Sequence, residues 1–227
     1  PSPTKSVDRT TAYVDSYNGK EQLVYTITQL LPYQDTNFYY SQFTLSDTFR
    51  SCETIDINKI VMLDEQNRDV SANWNITLNT TTKVVTASLK ALTNKDVYSH
   101  TYRLQVPVIV DETKLGATEF TPSTTEGTRL LNSATLTYKH SGETNVTTRN
   151  SNTVRTDFLY TIRSKHDAGS TITDTKTNLK GLSNTSFTYS PLPGYFIQSL
   201  KVDGKDVSFS QTGGTYTFSN ITAYHEI

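Results

Sequence analysis

Residues 43–49 read Phe43-Thr44-Leu45-Ser46-Asp47-Thr48-Phe49, and the fold turns on that run. Apolar and polar side chains alternate with a period of two, the spacing of an extended strand with one face in a core and the other in water. Phe43, Leu45 and Phe49 share the inner face, and Asp47 is on it with them. The pattern that makes the strand therefore carries a carboxylate into an apolar interior.

The same alternation recurs along the chain. In Leu130-Leu131-Asn132-Ser133-Ala134-Thr135-Leu136-Thr137-Tyr138 one face is apolar except for Asn132, which is predicted to be buried. Lys5 stands two positions before Val7 in the opening segment, so both point the same way. Tyr102, Leu104, Val106, Val108 and Val110 form another inner face. Pro107 lies opposite and lacks a ladder donor, which predicts an edge strand or a bulge there. Further strands are expected at 24–30, 59–63, 74–78, 83–89 and 130–139, with turns at Asn18-Gly19 and Ser141-Gly142 and a helical turn or two at 90–98.

A second strand set opens at Phe158-Leu159-Tyr160-Thr161-Ile162 and ends at Tyr216-Thr217-Phe218-Ser219-Asn220-Ile221, punctuated by Pro191, Pro193-Gly194 and Asp203-Gly204. The expected fold class is all-β: a β-sandwich over 1–156 followed by a smaller β-rich module over 157–227.

Composition narrows the function. Among 227 residues, 21 basic and 22 acidic side chains are interspersed, for a net charge of −1. No basic footprint exists for a phosphate backbone, so nucleic acid is not an expected partner. No apolar run approaches membrane-spanning length, so no membrane insertion is expected, and the start lacks a leader pattern, so the chain reads as a piece of something longer. Cys52 is the one cysteine, which removes any internal disulfide framework from a composition that otherwise suggests an extracellular module. It lacks a His or Asn partner motif and reads as an inert thiol. His100, His140, His166 and His225 lack metal spacing, and Asp64-Glu65-Gln66-Asn67-Arg68-Asp69 lacks the Gly and distal Glu of a calcium loop, so neither a metal nor a cofactor is expected. No catalytic carboxylate pair or Ser/His/Asp motif is present in recognisable context, so the chain is not read as an enzyme.

A buried Lys, Asp and Asn brought together have one particular chemistry open to them. Desolvation disfavours the ammonium, and a protonated neighbour polarises the amide. Lys5 Nζ would attack the Asn132 side-chain carbonyl carbon, Asp47 would shuttle the proton, and ammonia would leave. Read without each other, Lys5 is an exposed terminal lysine and Asp47 and Asn132 are hydrogen-bonded core residues.

The Lys5-x-Val7 opening, the Ser46-Asp47-Thr48-Phe49 strand and the Asn132-x-Ala134 strand, in that order and spacing, resemble the isopeptide-forming domains of Gram-positive fimbrial proteins and adhesins, including those of streptococcal antigen I/II proteins. The resemblance implies a variant immunoglobulin-like sandwich with Lys5 as nucleophile, Asn132 as acceptor and Asp47 as catalytic acid. Asn150 and Asn152 are rival acceptors, since some related domains carry the acceptor on their last strand. The second module is similar to small repeat modules of long bacterial surface proteins. Together these imply a pilus-like, cell-wall-attached extracellular stalk whose partners are neighbouring domains of the same surface protein. The alternative is a ligand-binding adhesin tip. It rests on the aromatic loop at 32–40, where Tyr39 and Tyr40 would meet a host protein or glycan.

Overall fold

The computed structural model describes residues 1–35, 39–115 and 127–227. Two compact units emerge: Pro1–Thr10, Gln22–Val110 and Leu131–Arg155 make the first, and Thr11–Glu21, Asp111–Leu130 and Thr156–Ile227 make the second. A single boundary after residue 156 is thus too simple. Segments 11–21 and 111–130 group with the C-terminal part because Thr11–Val14 pairs in parallel with Val154–Arg163, and Thr128–Asn132 flanks that same strand. Pairing between segments so distant in sequence leaves no mark in local periodicity.

The first unit is built on two sheets. In one, the edge strand Thr4–Val7 lies beside Lys20–Leu31, and then comes His100–Asp111, whose far side is shared by Glu53–Ile55 and Val61–Leu63. The other runs Thr147–Asn150, Ala134–His140, Tyr40–Thr48, Val84–Leu89, Trp74–Asn79, antiparallel throughout. Alternation puts Leu23, Tyr25 and Ile27 from the first sheet and Phe43, Leu45, Val85 and Ala87 from the second into the core. Phe43, Trp74 and Tyr102 continue that core as successive edge-to-face ring pairs at 6.4 and 5.1 Å.

Two local expectations are corrected. His100–Asp111 is a central strand. Pro107 is tolerated because Val61–Leu63 covers residues 103–105 and Glu53–Ile55 covers 108–110, so the proline falls where one partner strand gives way to the other. The span 130–139 is two strands, Thr128–Asn132 and Ala134–His140, parted at Ser133 and assigned to different sheets. Residues 90–98 contribute one 3-10 turn, Lys95–Val97, capped by the Asn94 side chain accepting from Asp96 N at 3.0 Å.

The second unit centres on Val154–Arg163, with Phe158, Tyr160 and Ile162 buried. Lys176–Lys180 pairs with it antiparallel, and Thr11–Val14 and His225–Glu226 pair with it in parallel. A three-stranded sheet of Ser170–Ile172, Thr185–Pro191 and Gly214–Phe218 packs its Phe187 against Phe218 at 5.8 Å. Asp203 and Gly204, at φ 52° and 76°, form the tight turn between Lys201–Val202 and Lys205–Asp206. Among the described residues no helix is long and apolar enough to cross a membrane.

Candidate cross-linking site

The strand Thr4–Val7 places Lys5 inward, paired with Ile27 of the next strand, and leaves the residue only 5% exposed. From the facing sheet, Tyr40–Thr48 delivers Asp47, which is 1% exposed. Ala134 is Asp47's partner across the ladder, and Asn132, two residues earlier across the break at Ser133, is likewise turned inward and 6% exposed. The structure therefore brings all three sequence-predicted residues into one apolar pocket.

Lys5 Nζ donates to Asp47 Oδ2, with both side chains fully out of solvent. The ammonium also stands over the rings of Tyr25 and Phe49, 4.8 and 5.4 Å from their centroids. Burial pushes the Lys5 amine below its usual value, with Asp47 opposing the shift. Burial likewise pushes the Asp47 carboxyl up, opposed by Lys5 and by the Asn132 amide. Both displacements favour the neutral pair, a free amine beside a carboxylic acid. Asn132 is the unsettled member. Its amide lies close enough to the Asp47 carboxyl to act on it, yet Oδ1, Nδ2 and Asp47 Oδ1 are all buried without a well-formed hydrogen bond among the described residues. A buried amide left so costs on the order of 1–3 kcal/mol.

Neither rival acceptor faces Lys5 Nζ. Asn150 pairs with Thr135, whose side chain is on the outer face, so the Asn150 amide points away from the core. Asn152 engages the Lys5 main chain: its Oδ1 accepts from Lys5 N at 2.8 Å and its Nδ2 donates to Lys5 O at 2.9 Å. The aromatic loop also differs from expectation. Tyr40 is 7% exposed, stacked on His140 at 4.3 Å and edge-on to Phe43 and Tyr138, because its position in the strand points it inward. Tyr39 is half-buried against Tyr98 at 5.6 Å, and residues 36–38 of the loop lie outside the described residues. Cys52 is buried.

One residue of the pocket went unread in the sequence. Glu53 is fully buried, its Oε1 accepting from Arg50 N at 3.1 Å and its Oε2 without a partner among the described residues. Burial pushes its carboxyl up to about 7, and the charges of Asp47 and Lys5 act on it in opposite senses. Its strand, Glu53–Ile55, is three residues long, too short for alternation to reveal an inward carboxylate.

This fold is that of the β-sandwich domains of Gram-positive major pilins. BcpA of Bacillus cereus superposes with a TM-score of 0.53 at 15% identity, over 99% of this chain and 68% of its own. SpaD of Corynebacterium diphtheriae gives 0.54 at 16%, over 96% of this chain and 48% of its own. SpaA of the same organism, whose structure points to a modular pilus assembly with stabilising isopeptide bonds, gives 0.53 at 17%, over 97% and 53%. The chain thus spans about half to two thirds of these pilins, and at such identities the likeness is one of fold. No protein-family model and no curated protein matches the sequence.

Proposed function

We propose that this chain is a structural module of a bacterial cell-surface protein, held by an amide bond that its own residues form between Lys5 and Asn132. The observation that carries the reading is the orphaned, buried Asn132 amide beside a buried Lys5–Asp47 pair whose proton is poised to move from nitrogen to oxygen. Lys5 gives its ammonium proton to Asp47, and the free amine attacks Asn132 Cγ. Protonated Asp47 hydrogen-bonds the developing oxyanion. An Nζ hydrogen then passes through Asp47 to Nδ2, the Cγ–Nδ2 bond breaks and ammonia leaves. Asp47 ends protonated beside a neutral amide, so the pocket no longer holds a charge pair. The event happens once per chain and turns over no external substrate. A pilus-like, wall-attached stalk, linked to neighbouring domains of its parent protein, is the setting in which such a bond is useful.

Intact mass of the purified chain, followed by peptide mapping, tests this. The expected result is a mass lower by one ammonia, with the Lys5 and Asn132 peptides joined, and no loss in Asp47→Ala. An unshifted mass in the native chain would overturn the reading.

A further inference from the structure

Lys5 lies on a four-residue edge strand, and its neighbour on the open side is a side chain rather than another strand. In an antiparallel ladder, every second residue turns its N–H and C=O away from its partner strand. Lys5 is such a residue, because both of its main-chain groups are taken by the Asn152 amide. That amide reproduces the donor and acceptor a further strand would offer. The adjacent residue ties down the chain just past the other reactant: Ser151 N donates to Ala134 O at 2.9 Å, and Ala134 N donates to Ser151 Oγ at 2.8 Å. Ala134 opens the strand that follows Asn132 across the break at Ser133, so the dipeptide 151–152 grips the nucleophile's strand with one residue and, with the other, the chain two residues beyond the acceptor.

We propose that Asn152 is a positioning residue for the cross-link, holding the Lys5 backbone so that Nζ stays directed at Asn132. The proposal rests on the Lys5–Asn132 reading above. Fixing both main-chain groups of Lys5 fixes the direction of its Cα–Cβ bond, and with it how often the amine reaches the amide carbon. Without the clamp, a short edge strand held on one side frays, and the nucleophile spends less time in line. The same geometry argues against Asn152 as the acceptor: its amide is engaged on the main chain, on the far side of Lys5 from Ile27.

The experiment uses the full chain, recovered unfolded in concentrated urea and diluted into folding buffer across a pH series. Timing starts when Trp74 fluorescence shows folding complete, and acid-quenched samples are weighed for ammonia loss. Asn152→Ala is expected to react about ten- to a hundredfold more slowly than the native chain, the worth of two hydrogen bonds. Asn152→Asp carries its own switch. Its neutral acid can both accept from Lys5 N and donate to Lys5 O, whereas its carboxylate can only accept. Its rate relative to the native chain is therefore expected to rise as pH falls through the carboxyl range, a signature that a general loss of stability does not produce. Native-like rates in Asn152→Ala, or a pH-independent ratio for Asn152→Asp, would overturn the proposal while leaving the cross-link standing. If Asn152→Ala does not fold, the Asn152→Asp ratio decides alone. No ammonia loss from the native chain removes both.

Discussion

Glu53 has one oxygen bonded to Arg50 N, the other unpartnered among the described residues, and no water-facing surface. Burial holds its carboxyl up to about 7, while the Arg50 N–H works to lower it, Asp47 to raise it and Lys5 to lower it. In the unfolded chain the same group titrates near 4.5. Between those values the folded state keeps a proton that the unfolded state has lost, so stability falls as pH rises through that window. The contribution is fully present below about 4.5 and gone above about 7, a change of roughly 3 kcal/mol. Glu53→Gln cannot titrate and is expected to flatten this part of the profile. Urea-unfolding midpoints of the two proteins at about pH 5 and about pH 8 check it. If both lose the same stability between those pH values, Glu53 is not the group responsible. Forming the amide bond would remove the Lys5 cation and the Asp47 charge together, and since the two act on Glu53 in opposite senses, the window is expected to move little on cross-linking.

At the scale of elements, legibility followed the length of the alternation. Tyr40–Thr48 and Ala134–His140 show several turns of period two, and their buried polar members, Asp47 and the neighbouring Asn132, stood out against it. Glu53–Ile55 offered no such background, and Asn152, named only as a rival acceptor through the resemblance, gave no sign of its bonds to the Lys5 main chain, since it lies in an irregular segment. The membership of Thr11–Glu21 in the second unit was likewise unreadable, because it depends on distant partners. One of those partnerships is testable. Asp203 accepts from Tyr17 Oη at 2.8 Å, from Glu226 N at 3.0 Å, and shares a hydrogen bond with His225 Nδ1 at 2.8 Å. A single turn carboxylate thus clasps the 11–21 segment and the last strand to one hairpin. Burial alone would raise its carboxyl, but His225, Glu226 N and Tyr17 outweigh it and hold the group below its usual value. Asp203→Ala is expected to cost about 1.5–3 kcal/mol, as charged hydrogen bonds do, with Asp203→Asn between it and the native protein. Chemical denaturation monitored in the second unit measures this, and an Asp203→Ala midpoint equal to the native one would mean the clasp contributes nothing.

For the whole molecule, the consequence of the proposed bond is set by where its ends lie. Lys5 is in the first strand and Asn132 late in the first unit, so the bond closes a loop of on the order of 130 residues, of the size for which restricting the unfolded chain is worth about 5 kcal/mol. For a unit of this size, that corresponds to a melting temperature higher by roughly 10–20 °C. Asn132→Ala is the cleaner removal, because it deletes the acceptor and leaves the Lys5–Asp47 pair intact, whereas replacing Lys5 strands a buried carboxyl. Calorimetry of Asn132→Ala should therefore show the first unit melting lower by about that interval. Force gives a second reading of the same bond. Pulling on the two ends cannot extend residues between linked positions, so the native chain should release less length on unfolding than Asn132→Ala, by on the order of 400 Å at ~3.4 Å per residue. A length difference near zero would mean that Lys5 and Asn132 are not joined, even if the melting temperatures differ. Equal melting with the full length difference would mean instead that the bond forms and carries load without stabilising the fold at equilibrium, which places its worth in resisting tension.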